Sequence, residues 1–424
     1  MPPAIPSARP LVLSTEAETR ARLSQTSLGR WAVQSVATPA RVAVISLVVY
    51  AALATVLVAS HGVDSLANVG QSMAAHSSTS PTIDSHLHPG TVTGYDGQFF
   101  YAMALDPARA YHYVDAPNYR YSHILYPMLA RAVALGQADW VAAALILVNL
   151  LAVGLGTFCV AALLARKGMP PALAALYFLF PGLLVSFSFD LSEPLAYGLA
   201  ALGLLLLAGW LSPRRIGAAA FAFSLAALAR ESTLLIAAVV AVVYVIGAPR
   251  DASRFRRATA FAAIAAGPYV VWRVILNAWL GSASSHPGST VGLLPFSGLT
   301  RALAQGPSSP DAWPVIGVAI PASALALHCL LRLRAEWRNE TFAALCLSLL
   351  LLAFYLPEES YVSYDSAGRL QTGAVLLAVV SLGSLKAKRA FGDRLAGPLL
   401  AACATFAYLP LIPMLLTLVR SGSA

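Results

Sequence analysis

The chain has 424 residues, of which 58% are hydrophobic and only 11% charged, and its mean hydropathy is +0.70. Soluble domains carry about 25% charged residues, so this composition excludes an ordinary water-soluble protein and describes one that spends most of its length in lipid. The net charge of +9 does not indicate nucleic-acid binding, because the basic residues are spread along the chain in the pattern that membrane topology dictates.

Residues 1–30 are rich in Ala, Ser, Pro and Arg and read as disordered, within a cytoplasmic tail covering 1–41. About 40 polar residues ahead of the first apolar run are too many for a cleaved leader, so that run reads as a retained anchor. Apolar runs of about 17–25 residues can cross a hydrocarbon core of about 30 Å as helices. Such runs fall at about 42–60, 139–165, 171–189, 193–212, 214–230, 232–248, 258–280, 313–331, 341–356, 367–385 and 396–419. They predict an all-α, multi-pass domain of about eleven spans over 42–424. With the N-terminus inside, the inner segments are 1–41, 166–170, 212–215, 249–257, 332–340 and 386–395. These hold 20 of the 28 Lys and Arg residues and 6 of the 19 acids, as the accumulation of bases in cytoplasmic loops requires. Cys159, Cys329, Cys346 and Cys403 lie in or at the end of apolar runs without CxxC spacing, so they read as small buried hydrophobes.

Two outer segments, about 61–138 and 281–312, are too long for simple connections. Residues 61–90, with Ser77-Ser78-Thr79-Ser80-Pro81, His86, His88 and Pro89, read as a flexible lead-in. Next comes Gly94-Tyr95-Asp96-Gly97-Gln98-Phe99-Phe100-Tyr101, a carboxylate between two glycines. Asp96 either caps a short helix running to about Leu105 or serves as a general base. Tyr119-Arg120-Tyr121-Ser122-His123 leads into a second helix at 123–136, whose Ile124, Leu125, Met128, Leu129, Val133 and Leu135 form a broad apolar surface. Too short to span, it should lie along the membrane and hold catalytic groups at headgroup depth.

The remaining ionisable residues near the apolar runs gather at the same outer boundary. Asp190 and Glu193 lie between runs three and four, Arg230 and Glu231 between five and six, and Glu358, Glu359, Asp365 and Arg369 between nine and ten. A charge at the centre of a membrane helix costs about 2.5–3.5 kcal/mol, so clustering on one side predicts a polar cavity there. Glu193 before Pro194 also suits a helix start, and Arg230-Glu231 suits a structural ion pair at a hairpin. Arg273, about five residues inside its run, reads as snorkelling to the headgroups. Arg369, at the N-terminus of run ten, combines a guanidinium with a helix dipole and reads as a phosphate site. The histidines lack metal-ligand spacing. A cation among Asp96, Asp190 and Glu193 stays open as an alternative, with no cofactor as the primary expectation.

These motifs, with Ser192-Glu193-Pro194-Leu195, Leu228-Ala229-Arg230-Glu231 and Ala367-Gly368-Arg369, resemble the GT-C superfamily of polyprenyl-phosphate-sugar-dependent glycosyltransferases. Within it they resemble the bacterial relatives of the PIG-V-like mannosyltransferases. The resemblance covers about 42–385, and departs from the eukaryotic members in placing Gly97-Gln98 between the acid and the aromatic run. It implies Asp96 as the general base, with Glu193 and Arg369 lining the donor site. The implied partners are a polyprenyl-phosphate sugar, mannose foremost, and a cell-envelope glycan, lipid or protein acceptor at the outer face of a bacterial inner membrane. On the residues themselves, Arg369 is the first candidate for the leaving phosphate, with Arg230 and Arg120 next. Tyr95, Gln98, His123, Asp190, Glu193, Glu231 and Asp365 are expected to line the site. The alternative from another class is a transporter or flippase, for which Gly267-Pro268 would be a helix break.

Overall fold

A computed structural model of the chain describes residues 38–74, 79–208, 212–246, 252–281, 368–369 and 371–387, together with Thr300 and Ala304. The described residues are mostly helical and contain no strand, only an isolated bridge between Gly70 and Thr91. The principal helices are α1 (Pro39–His61), α2 (Gly97–Leu105), α3 (Leu125–Val133), α4 (Val141–Arg166), α5 (Pro181–Ser188), α6 (Glu193–Leu207), α7 (Pro213–Ala229), α8 (Thr233–Ile246), α9 (Ala252–Leu280) and α10 (Thr372–Ala387). Three described helices are long and apolar enough to cross a membrane, or four if one bent pair counts as a single span. The apolar runs at 313–331, 341–356 and 396–419, and most of the tail 1–41, lie outside the described residues.

Helix starts follow local chemistry. The Thr38 hydroxyl accepts from the Arg41 amide at 3.3 Å and Pro39 follows at the first helical position. Ser212 and Pro213 repeat the device at α7, since proline has no amide to leave unpaired there. The run at 171–189, expected as one span, is two short helices, Pro171–Phe178 and Pro181–Ser188, bent by 55°. The cause is Pro181, which pushes Phe180 to an extended backbone (φ −61, ψ 130) and ends the preceding helix. Pro268, the helix break that the transporter reading would use, lies inside an uninterrupted α9, in keeping with the single run read at 258–280.

Helix α4 packs against α1, α3, α6 and α10, while α7 lies between α6 and α9. A second apolar cluster, including Ile83, Leu87, Phe99, Phe100, Met103 and Tyr126, joins residues 79–138 to α4 and α6. The lead-in at 61–90 is therefore corrected. Its described residues bury Ile83 and Leu87, and Tyr113 Oη donates to Asp84 at 2.7 Å while accepting from the Ser80 amide at 2.9 Å. Helix α3 is shorter than expected: it leaves Leu129 and Val133 exposed, Leu135 lies beyond its end at a left-handed position (φ 53), and Ile124 and Leu125 pack against the second cluster.

Two close backbone approaches fix the geometry at one end of this assembly. A Cβ at Gly97 would collide with the Phe189 carbonyl, and one at Gly182 would collide with the Gly368 carbonyl. The first seats the start of α2 against the end of α5. The second seats the segment carrying Arg369 on the start of α5. Gly182→Ala is expected to cost about 1–3 kcal/mol, the range for overpacking a close contact. Gly217→Ala, inside α7 with nothing within 4 Å of the added carbon, should instead gain about 0.5–1 kcal/mol from helix propensity. Thermal unfolding of the two purified variants checks the opposite signs.

Candidate functional site

Asp96 occupies the cap position of α2, yet its own backbone is helical (φ −56, ψ −25) and its side chain makes no capping bond. Helix capping is therefore not what the carboxylate does. It faces two guanidinium groups instead: Oδ1 lies 3.0 Å from Arg120 Nη1, and Oδ2 accepts from Arg369 Nη1 at 2.7 Å. The three side chains are only 20%, 10% and 14% exposed, so the charges meet where water screens them weakly. Burial alone would raise the Asp96 carboxyl, but Arg369 and Arg120, with Arg230 further off, hold it well below the usual carboxylate range. Asp96 is ionised across the whole physiological pH range.

Arg120 ends the short helix Pro117–Arg120, with its guanidinium gripped from the other side by Asp115. Nε donates to Oδ1 at 2.8 Å and Nη2 to Oδ2 at 2.9 Å, a two-point pairing that fixes the plane of the group. Asp115 was missed in the sequence, although its place five residues before Arg120 and two before Pro117 was a usable signal. Phe99 adds its ring face at 4.3 Å from Arg120 Cζ, and Tyr95 lies 5.3 Å from Arg369 Cζ. Both are cation–π distances.

Arg230 and Glu231 do not pair with each other as a hairpin ion pair would. Arg230 Nη1 lies 3.2 Å from Glu193 Oε1, an ion pair without hydrogen-bond geometry, so both Glu193 oxygens lack a hydrogen-bond partner among the described residues. Glu231, in the turn between α7 and α8, bonds His123 Nε2. Burial raises the Glu231 carboxyl, but His123 and then Arg230 hold it well below its ordinary value. Tyr119 meets the His123 ring edge-on at 5.2 Å. Asp96, Arg120, Tyr95, Arg369, Arg230, Glu193, Glu231 and His123 thus form one charged cluster, drawn from the loop, α6, the α7–α8 turn and the start of α10.

Other expected site residues do not join it. The Gln98 Oε1 accepts from the Gly70 amide at 2.9 Å, so this side chain pins the loop and does not face the cluster. Asp190, at a left-handed backbone position (φ 48), lies 3.4 Å from Tyr126 Oη, which in turn accepts from Asn149 Nδ2 at 2.7 Å. Burial pushes its carboxyl well above the usual range, and its hydrogen bond is with Tyr126, outside the cluster. Arg273, expected to snorkel, donates to the Asn118 carbonyl at 2.8 Å and ties α9 to the loop. Asp365 lies outside the described residues. Asp96, Asp190 and Glu193 each turn to a different partner, and among the described residues no group of three or more His, Cys, Asp or Glu side chains is placed to hold a metal ion. Comparison of the chain with protein-family models, curated proteins and solved structures finds no significant match.

Proposed function

We propose that the protein is an inverting glycosyltransferase that moves a sugar, mannose foremost, from a polyprenyl-phosphate donor to a cell-envelope acceptor. The site would face outward from a bacterial inner membrane, in a GT-C-like bundle of about eleven spans. The observation that carries this reading is the Asp96 carboxylate held between Arg120 and Arg369. A base and two phosphate-binding cations in one site are what displacement at an anomeric carbon with a phosphate leaving group requires.

In the step, the acceptor oxygen bonds to the anomeric carbon as the bond from that carbon to the phosphate oxygen breaks. The electron pair leaves on the phosphate, whose charge Arg369 and Arg120 receive. The acceptor proton passes to Asp96. A carboxylate paired with two guanidinium groups is a poor base, and the donor resolves the conflict. Its phosphate competes for Arg369 and Arg120, withdraws positive charge from Asp96 and lets the carboxyl rise toward the range in which it accepts a proton. The base is thus armed by the donor, and idle proton transfer is suppressed while the site is empty.

The bent pair Pro171–Phe178 and Pro181–Ser188 favours a second reading, a transporter or flippase built on a broken helix. Purified protein in lipid nanodiscs, given a panel of polyprenyl-phosphate sugars and envelope acceptors, is expected to release free polyprenyl phosphate only when donor and acceptor are both present. Movement of intact labelled donor across proteoliposomes without cleavage would replace the transferase reading with the flippase.

A further inference from the structure

Buried polar atoms are nearly always hydrogen-bonded, and each one left unpaired costs about 1–3 kcal/mol. Half of the exceptions among the described residues lie at two helix starts and on Arg369 beside one of them. Ser192 and Glu193 begin α6, and Gln371 and Thr372 begin α10. All four are at most 1% exposed. Their Ser192 Oγ, both Glu193 oxygens, both Gln371 amide atoms and Thr372 Oγ1 have no hydrogen-bond partner among the described residues, although Glu193 Oε1 stands 3.2 Å from Arg230 Nη1 as an ion pair. Both helix starts meet: a Cβ at Gly373 would stand 2.7 Å from Cε1 of Tyr197, one turn into α6. Arg369, two residues before Gln371, has an unpartnered Nε of its own and feels the Glu193 charge.

From this cluster we infer a polyol subsite: Gln371, Thr372, Ser192 and Glu193 bind the sugar hydroxyls of the donor beside the phosphate held by Arg369. The inference rests on the donor reading proposed above and adds where the sugar lies and what reads it. The chemistry selects the ligand. Two hydroxyls, an amide with two donors and an acceptor, and a carboxylate match vicinal diols, each of which donates and accepts at once. A second phosphate would be repelled by Glu193, and an apolar chain would leave every one of these atoms unpaired. Helix starts α6 and α10 add their first backbone amides, which have no partner within the helix.

The test titrates four probes into the full-length protein in nanodiscs by calorimetry: farnesyl phosphate, and farnesyl phosphate carrying mannose, glucose or galactose. Wild-type protein should bind its preferred sugar-bearing probe at least about tenfold more tightly than bare farnesyl phosphate, the equivalent of about 1.4 kcal/mol. Gln371→Leu should bring that ratio below about threefold and leave the Kd for bare farnesyl phosphate within about twofold, since its contacts are to the sugar alone. Thr372→Val, which keeps the shape of the side chain, should lower the ratio in the same direction and decides the matter if Gln371→Leu does not fold. A wild-type protein that binds all four probes equally overturns the subsite and leaves the phosphate reading standing. So does a preference that survives both substitutions, which is the result expected if these groups only hold water. Failure to bind any probe removes the donor reading and the subsite with it.

Discussion

Asp96→Asn is expected to lower turnover at saturating donor at least about a hundredfold, the smaller end for loss of a general base. Its effect on donor binding should have the opposite sign. In the resting protein Arg120 and Arg369 both spend charge on Asp96, and a neutral amide releases them to a phosphate. Bare farnesyl phosphate should therefore bind more tightly to the variant than to wild-type protein while the chemical step fails. Stability should fall as well, since removing one partner of a buried ion pair costs about 3–5 kcal/mol, with asparagine at the low end because its oxygen still accepts one hydrogen bond. The stability signature also depends on pH. Asp96 has a depressed folded-state pKa, so its contribution is complete above the ordinary aspartate value of about 3.9 and is lost as pH falls toward the folded value. The difference in stability between wild-type and variant should accordingly shrink on acidification below about pH 4. Turnover by Asp96→Asn close to wild type, with chemistry shown to be rate-limiting, would remove the general-base role. Weakened phosphate binding would show that Asp96 merely orders the arginines.

The parts of the molecule that the sequence disclosed are those governed by local rules. Apolar length marked α1, α4 and α9, and glycines flanking an acid marked Asp96. The charge pattern put Asp96 and Arg369 at the same boundary, but their pairing, 273 residues apart, was not legible in it. Partner choice was less visible, because it is set by tertiary geometry. Gln98 looks like a site residue from its place beside Asp96, yet bonds the Gly70 amide. Arg273 looks like a headgroup anchor from its depth in the run, yet a loop carbonyl at Asn118 reaches it first. Residues 79–90 looked mobile from their Ser, His and Pro content, but Ile83 and Leu87 among them were enough to fold the segment onto α2. Proline alone did not tell a broken run from a continuous one. Phe180-Pro181 breaks its run while Gly267-Pro268 does not. Gln371 and Thr372 were passed over because a neutral polar pair at a helix start is common; only their burial without partners sets them apart.

Arg369→Lys separates phosphate recognition from simple charge balance. An ammonium on a flexible stem can still reach Asp96 Oδ2, so the ion pair that now spans 2.7 Å should survive and unfolding temperature should stay near that of wild type. What lysine lacks is the planar set of donors, and in particular the Nε edge that Arg369 keeps free of hydrogen bonds. Bare farnesyl phosphate should bind about tenfold less tightly, because a point charge replaces a two-point grip. Arg369→Met goes further and leaves Asp96 with Arg120 alone. Its carboxyl should then titrate at higher pH than in wild type, the direction expected when one of two lowering charges is removed. The pair of variants gives a pattern no purely structural arginine would produce, with Lys preserving stability but not phosphate affinity and Met losing both. Parallel loss of stability and affinity in the lysine variant would assign Arg369 to the fold, and the phosphate would then have to be sought at Arg230, whose only described ion-pair partner is Glu193.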